Sequence, residues 1–198
     1  LASLGSYVYG QSEDGLWVHL YMGSKARVML PDETLVAINQ ETNYPWDGEI
    51  TLTLRMPKTS PFSLYLRIPG WSEDATISVN GRPVDDDFPP GEYACIHRIW
   101  SDEDVVSLSL PMETQRLEAH PGVTNDLGHV ALCRGPIVYC LEEIDHDADV
   151  HAITLPSDTP VTSEYESESL GGVCVLRTRG LVRETDGWLD QLYRPVGH

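Results

Sequence analysis

The chain has 198 residues and a formal net charge of −18, from 31 acidic and 13 basic residues. That charge repels nucleic acid and anionic lipid, and no basic stripe offsets it, so neither nucleic acid nor membrane is expected as a partner. Hydrophobic residues make up 41% of the chain, enough for a packed core, yet no stretch approaches the ~18 apolar residues of a membrane helix.

The pattern along the chain is β. Leu1–Leu4 reads as a helix end. The segment Leu1–Gly10 has no starting Met and no basic n-region, so it reads as a cut inside a longer chain rather than a signal peptide. Tyr7–Gly10 and Leu16–Met22 are short β-rich runs around Glu13-Asp14-Gly15, a hairpin signal. Lys25–Leu30 and Thr34–Asn39 follow, split by Pro31-Asp32. Next comes the loop Asn43-Tyr44-Pro45-Trp46-Asp47-Gly48. Glu49–Met56 alternates strictly, with Ile50, Leu52, Leu54 and Met56 on one face, as a half-buried strand does. Phe62–Ile68 repeats this with Leu64, Leu66 and Ile68. Thr76–Val79 and Arg82–Val84 flank Asn80-Gly81, which tolerates the positive φ angles of a type I′ turn.

Asp85–Gly91 is an acidic, proline-rich loop. Glu92–Trp100 and Val105–Leu110 are strands joined by the acidic turn Ser101–Asp104. Pro111-Met112 ends the run, and Gln115–His120 leads into Pro121-Gly122 without a Gly/Ser linker. His129–Cys133 and Ile137–Leu141 bracket Arg134-Gly135-Pro136. His151–Leu155, Val173–Arg177 and Leu181–Arg183 read as further strands, and Ser163–Ser169 as a polar loop tip. Strands every ~8–12 residues with turns between them predict sandwiches. The expected fold is all-β: two consecutive antiparallel β-sandwich domains of jelly-roll or Ig-like type. The first covers 1–115 and the second 116–198, the second having few strands for a complete sandwich.

Several segments in this order resemble glycoside hydrolase family 127. They are LASLGSYVYGQSEDGLWVHLYMGS (1–24), NYPWDG (43–48), LRIPGW (66–71), ISVNGRPV (77–84), DVVSLSLPM (104–112) and EAHPGV…GHVALCRGPIVYCLEE (118–143). After about Asp145 the resemblance fades, and the family's closing aromatic segment is not recognisable after Tyr193-Arg194-Pro195. The resemblance implies a β-L-arabinofuranosidase with a retaining mechanism. It further implies a zinc-bound cysteine thiolate as nucleophile and a glutamate as acid/base, because zinc makes thiolate available at neutral pH. In the family those residues lie in a helical barrel ahead of this stretch, and the adjacent-cysteine motif would fall just upstream of Leu1. No adjacent cysteine pair occurs in this sequence. No catalytic or zinc residue is therefore carried over. No cofactor is expected in this chain, with zinc implied for the parent's catalytic domain. The expected partner is the catalytic helical barrel of the same parent chain; carbohydrate and a second copy of the chain are further candidates.

The residues offer few sites of their own. Tyr44, Trp46 and Asp47 of the NYPWDG loop supply rings that can stack on a sugar and a carboxylate that can accept its hydroxyls. The competing reading is a packed corner, a loop plug with Trp46 buried against the neighbouring barrel. Glu142-Glu143 are strand neighbours that point to opposite faces, so they cannot converge on one bond. Asp85-Asp86-Asp87 and the Asp145, Asp147, Asp149 series carry oxygen ligands suited to calcium, but read better as solvated acidic loops. His19 is expected to share a face with the neighbours of Trp17 rather than with Trp17, as a packed strand histidine. The seven histidines show no H-x-x-x-H spacing. Cys95, Cys133, Cys140 and Cys174 form no C-x-x-C pair and sit in apolar runs, which predicts buried reduced thiols and leaves a disulfide open.

Three roles compete: a support for the catalytic barrel, an independent carbohydrate-binding module, and a self-contained hydrolase. The fragment alone is expected to be inactive. Localisation is not given by the sequence, although a surface with only Lys25 and Lys58 as lysines suits a high-salt cytoplasm. The salt reading predicts a melting temperature that climbs with potassium chloride toward molar concentrations. A melting temperature indifferent to the salt would contradict it.

Overall fold

A computed structural model describes residues 3–183 together with Leu192 and Tyr193. Leu1, Ala2, Arg194 and Pro195 lie outside the described residues. Helices among the described residues are 3-10 turns of three or four residues, the first at Leu4–Tyr7. The chain divides into two compact units. The first is Leu1–Gln115 with Cys133–Ile137, and the second is Arg116–Leu132 with Val138–His198.

The first unit is built from β1 (Tyr9–Gln11), β2 (Gly15–Val18), β3 (Ser24–Met29), β4 (Leu35–Thr42), β5 (Glu49–Arg55), β6 (Ser60–Arg67), β7 (Thr76–Val79), β8 (Arg82–Pro83), β9 (Tyr93–Trp100) and β10 (Asp104–Ser109). They form a four-stranded sheet, β1-β2-β6-β9, and a six-stranded sheet, β3-β4-β5-β10-β7-β8. Pairing is antiparallel except that β2 runs parallel to β6, with Trp17 beside Tyr65. Their inward faces merge in one apolar cluster. Leu52, Leu54, Val106 and Leu108 come from the larger sheet; Leu16, Leu64, Leu66 and Trp100 come from the smaller, all at most 1% exposed. Alternation produces this layer: Ile50, Leu52 and Leu54 are buried while Thr51 and Thr53 between them are not.

Turn chemistry joins the strands. Asn80 (φ 53°) and Gly81 (φ 73°) supply the two positive angles between β7 and β8. The acidic turn after β9 does not close a hairpin; it carries the chain from the smaller sheet to the larger. Its carboxylates hold that crossover. Asp104 accepts from Ser101 N (2.9 Å) and Asn80 Nδ2 (2.7 Å), and Asp102 accepts from Met56 N (3.0 Å). Trp100, fully buried at its start, donates from Nε1 to the Phe62 carbonyl at 3.0 Å, so its one polar atom is satisfied.

The later strands are β11 (Thr114–Glu118), β12 (Val130–Arg134), β13 (Ile137–Tyr139), β14 (Ile153–Thr154), β15 (Thr162–Glu166), β16 (Val173–Arg177) and β17 (Leu181–Val182). In the second unit β14 pairs with β17 and β15 with β16, all antiparallel. The expected loop tip Ser163–Ser169 is instead largely β15. Its polar residues suit an exposed hairpin arm, where Arg177 reaches Glu164 and Glu166 across the pair. Among the described residues of this unit, Cys174 is the one buried apolar side chain. Leu127, Val138, Ile144 and Leu170 are all exposed by more than half. No described helix is long and apolar enough to cross a membrane.

Candidate functional site

The NYPWDG loop bridges β4 and β5, and its polar groups mostly serve the loop itself. Asp47 Oδ1 accepts from Glu49 N (3.1 Å) and Oδ2 from Asn43 Nδ2 (3.2 Å). Thr42 Oγ1 accepts from Tyr44 N and donates to the Glu49 carbonyl. Trp46 N donates to the Asn43 carbonyl, and the Trp46 carbonyl accepts from Arg134 at 2.8 Å. Gly48 closes the loop where a Cβ would lie 1.9 Å from the Leu110 carbonyl oxygen, so only glycine fits.

The three expected contact residues therefore differ. Tyr44 is half-buried, with its ring 5.9 Å from Tyr21 and 6.5 Å from Trp71. Burial pushes its hydroxyl above the usual phenol range, against the lowering effects of Arg67 and Trp71. Tyr21 is pushed up further by the same cause, its hydroxyl donating to the Arg67 carbonyl at 2.6 Å. Asp47 has both oxygens engaged. Trp46, like Tyr44, is half-buried within this chain.

A second group of rings lies on the outer face of the four-stranded sheet. Trp17 stacks on Tyr65, centroids 3.8 Å apart and planes 7° apart. Tyr93 meets Trp17 edge-on at 4.9 Å, and His19 lies 6.3 Å from Trp17. The expectation that His19 avoids Trp17's face is corrected. Positions two apart on extended chain share a side, and His19 Nδ1 is 2.7 Å from the Tyr93 hydroxyl on that same side. Gly10 makes room: a Cβ there would sit 2.4 Å from His19 Nε2. Trp17 Nε1 donates to Ser12 Oγ at 3.0 Å. Along β9, Tyr93, Cys95, His97 and Ile99 all face outward and are exposed.

Sequence reading misses this cluster because its members are far apart in the chain. The usable signal is an aromatic at the outward position of three separate strands: Trp17 between Leu16 and Val18, Tyr65 between Leu64 and Leu66, and Tyr93 before Ala94.

The thiols also depart from expectation. All four cysteines are free, Cys133 and Cys174 buried but Cys95 and Cys140 exposed. Cys95 is outward because Ala94 and Ile96 take the inward positions of β9. Glu142 and Glu143 are exposed at the start of a 3-10 turn. Among the described residues no three His, Cys, Asp or Glu side chains are grouped to hold a metal ion.

Residues 15–112 match the family model for the beta-L-arabinofuranosidase GH127 middle domain, and residues 114–182 that for the glycoside hydrolase family 127 C-terminal domain. The chain belongs to glycoside hydrolase family 127. It covers non-catalytic domains of that family. A GH127 beta-L-arabinofuranosidase from Geobacillus stearothermophilus T6 is 43% identical with a TM-score of 0.92, over 99% of this chain and 31% of its own. A second solved GH127 beta-arabinofuranosidase is 34% identical with a TM-score of 0.84, over 91% of this chain and 31% of its own. The non-reducing end beta-L-arabinofuranosidase of Bifidobacterium longum subsp. longum is 30% identical, covering 87% of this chain and 27% of that protein. The GH127 chain described here thus spans less than a third of each of these relatives.

The buried phenols give a pH test. Their folded-state pKa values lie above the unfolded ones, so the folded form holds these protons more tightly. Their stabilisation is complete below about pH 10, the unfolded phenol value, and declines as pH rises beyond it. Chemical denaturation between pH 9 and 11.5 should show stability falling, with a shallower fall in Tyr44→Phe. An identical slope in wild type and variant would contradict the assignment.

Proposed function

We propose that this chain is the non-catalytic middle and C-terminal part of a retaining β-L-arabinofuranosidase, and that it braces a catalytic helical barrel in the same parent chain. The zinc-held cysteine nucleophile and the glutamate acid/base belong, on this reading, to that barrel. The observation that carries the bracing role is the outer face of the four-stranded sheet. A sugar platform needs a ring face open to the ligand. Trp17 has one face against Tyr65 at 3.8 Å and lies in a T-shaped contact with Tyr93 at 4.9 Å, and the Tyr93 hydroxyl is paired with His19. Rings locked on one another, with Cys95 and Ile99 exposed beside them, suit packing against protein. Aromatics concentrate at the centre of protein interfaces for this reason. The exposed apolar strands of the second unit fit the same reading, with strands from elsewhere in the parent covering them.

A carbohydrate-binding module is the second reading, and the half-exposed ring of Trp46 favours it. Titrating the chain with arabinofuranose-containing oligosaccharides while following tryptophan fluorescence separates the two. The bracing role predicts flat traces; a saturable change that disappears in Trp46→Ala would favour the module instead. The isolated chain should also self-associate through its uncovered face, and Trp17→Ser with Tyr93→Ser should shift it toward monomer by light scattering. A wild-type chain that stays monomeric in the same measurement would count against the proposal, since a large exposed apolar face drives association. Turnover of nitrophenyl arabinofuranoside by the chain alone would overturn it.

A further inference from the structure

Two arginines of the first unit occupy unexpected positions. On β9, Ala94, Ile96 and Trp100 are buried at 4%, 7% and 0%, and Arg98 takes the intervening place on that core-facing side. On β8, Arg82 is the register partner of Val79, which is 4% exposed. Cross-strand partners share a face, so Arg82 also stands on the core-facing side. β8 ends the six-stranded sheet and β9 ends the four-stranded one. The two side chains therefore come from the free edges of opposite sheets. They line one open cleft of about 400 Å³ together with Val79, Asn80, Pro83, Val84 and Ile96. That size falls in the ~300–1,000 Å³ range of small-ligand sites.

Neither guanidinium is neutralised. Among the described residues the arginine ion pairs are those of Arg55 and Arg177. Arg98 lies 5.2 Å from the Trp100 ring centroid, and its Nε makes only a long 3.4 Å contact to the Ile99 carbonyl. Asn80 also lines the cleft, but its amide is engaged by Asp104 and Val105. The acidic run Asp85–Asp87 follows Val84 in the chain without lining the cleft. In a chain of net charge −18, these two cations line one cleft with no carboxylate among its lining residues. An inward arginine on an edge strand also discourages edge-to-edge pairing. That explains each arginine singly, but not why both line one cleft beside Pro83 and Val84.

We propose that this cleft binds an acidic sugar. The guanidiniums take its carboxylate, which they match in charge and planar geometry. Val84 and Pro83 take the C–H face of its ring. A bare oxyanion would use the arginines and leave those walls without a partner. The site does not depend on the bracing role and lies on different strand positions from the Trp17 face.

Calorimetric titration of the chain at low ionic strength with galacturonate, neutral galactose and inorganic phosphate tests this. Arg82→Gln and Arg98→Gln are suitable variants, since both side chains are exposed and the core is untouched. The expected result is saturable galacturonate binding, at least tenfold weaker in either variant, with galactose silent and phosphate weaker than galacturonate. Absence of saturable binding, binding unchanged in both variants, or phosphate binding as tightly as galacturonate would overturn it.

Discussion

The apolar layer between the two sheets of the first unit is the constraint on which the rest depends. It is made by strands that alternate, and alternation fills one face while committing every second residue to the other. Leu64 and Leu66 cannot point inward without Tyr65 pointing out, nor can Ala94 and Ile96 without Cys95. Burying each large side chain contributes about 1.5–3 kcal/mol, far more than an exposed ring costs, so the core dictates what the outer surface shows. The outer ring cluster is thus a consequence of the same register that builds the core. What distinguishes it is that the outward positions hold Trp, Tyr and His where an ordinary solvent face would hold charge.

Within that frame, acidic residues act as structure more often than as chemistry. Asp104, Asp102 and Asp47 each accept backbone or side-chain donors in turns. Asp32 does the same between β3 and β4. It accepts from the Thr34 amide and hydroxyl and from Ser60, contacts that lower its pKa to about 2. Carboxylates in such roles are acceptors already satisfied, which removes them as acid/base candidates. These four aspartates thus hold turns and crossovers in place.

Much of this was legible in the residues. The strict alternation of Glu49–Met56 and Phe62–Ile68 located β5, β6 and their buried faces, and Asn80-Gly81 located the β7–β8 turn. What failed to show was pairing order. β2 lies parallel to β6, and β9 and β10, adjacent in the chain, fall in different sheets. No local pattern encodes a partner some fifty residues away, because register is decided by the packed core. The same limit hid the site. Trp17, Tyr65 and Tyr93 look like three unrelated strand aromatics until the sheet sets them side by side, and Arg82 and Arg98 line one cleft because β8 and β9 end their sheets. In the NYPWDG loop the residue types left both sugar contact and a packed corner open, and they could not reveal that Asp47 was already engaged.

The central claim is that the Trp17 face is an interface within a larger enzyme. Hydroxyl-radical footprinting of the full-length parent beside this chain tests it most directly. The account predicts that Trp17, Tyr65 and Tyr93 are oxidised readily in the isolated chain and strongly protected in the parent. Equal oxidation of all three rings in both would contradict it.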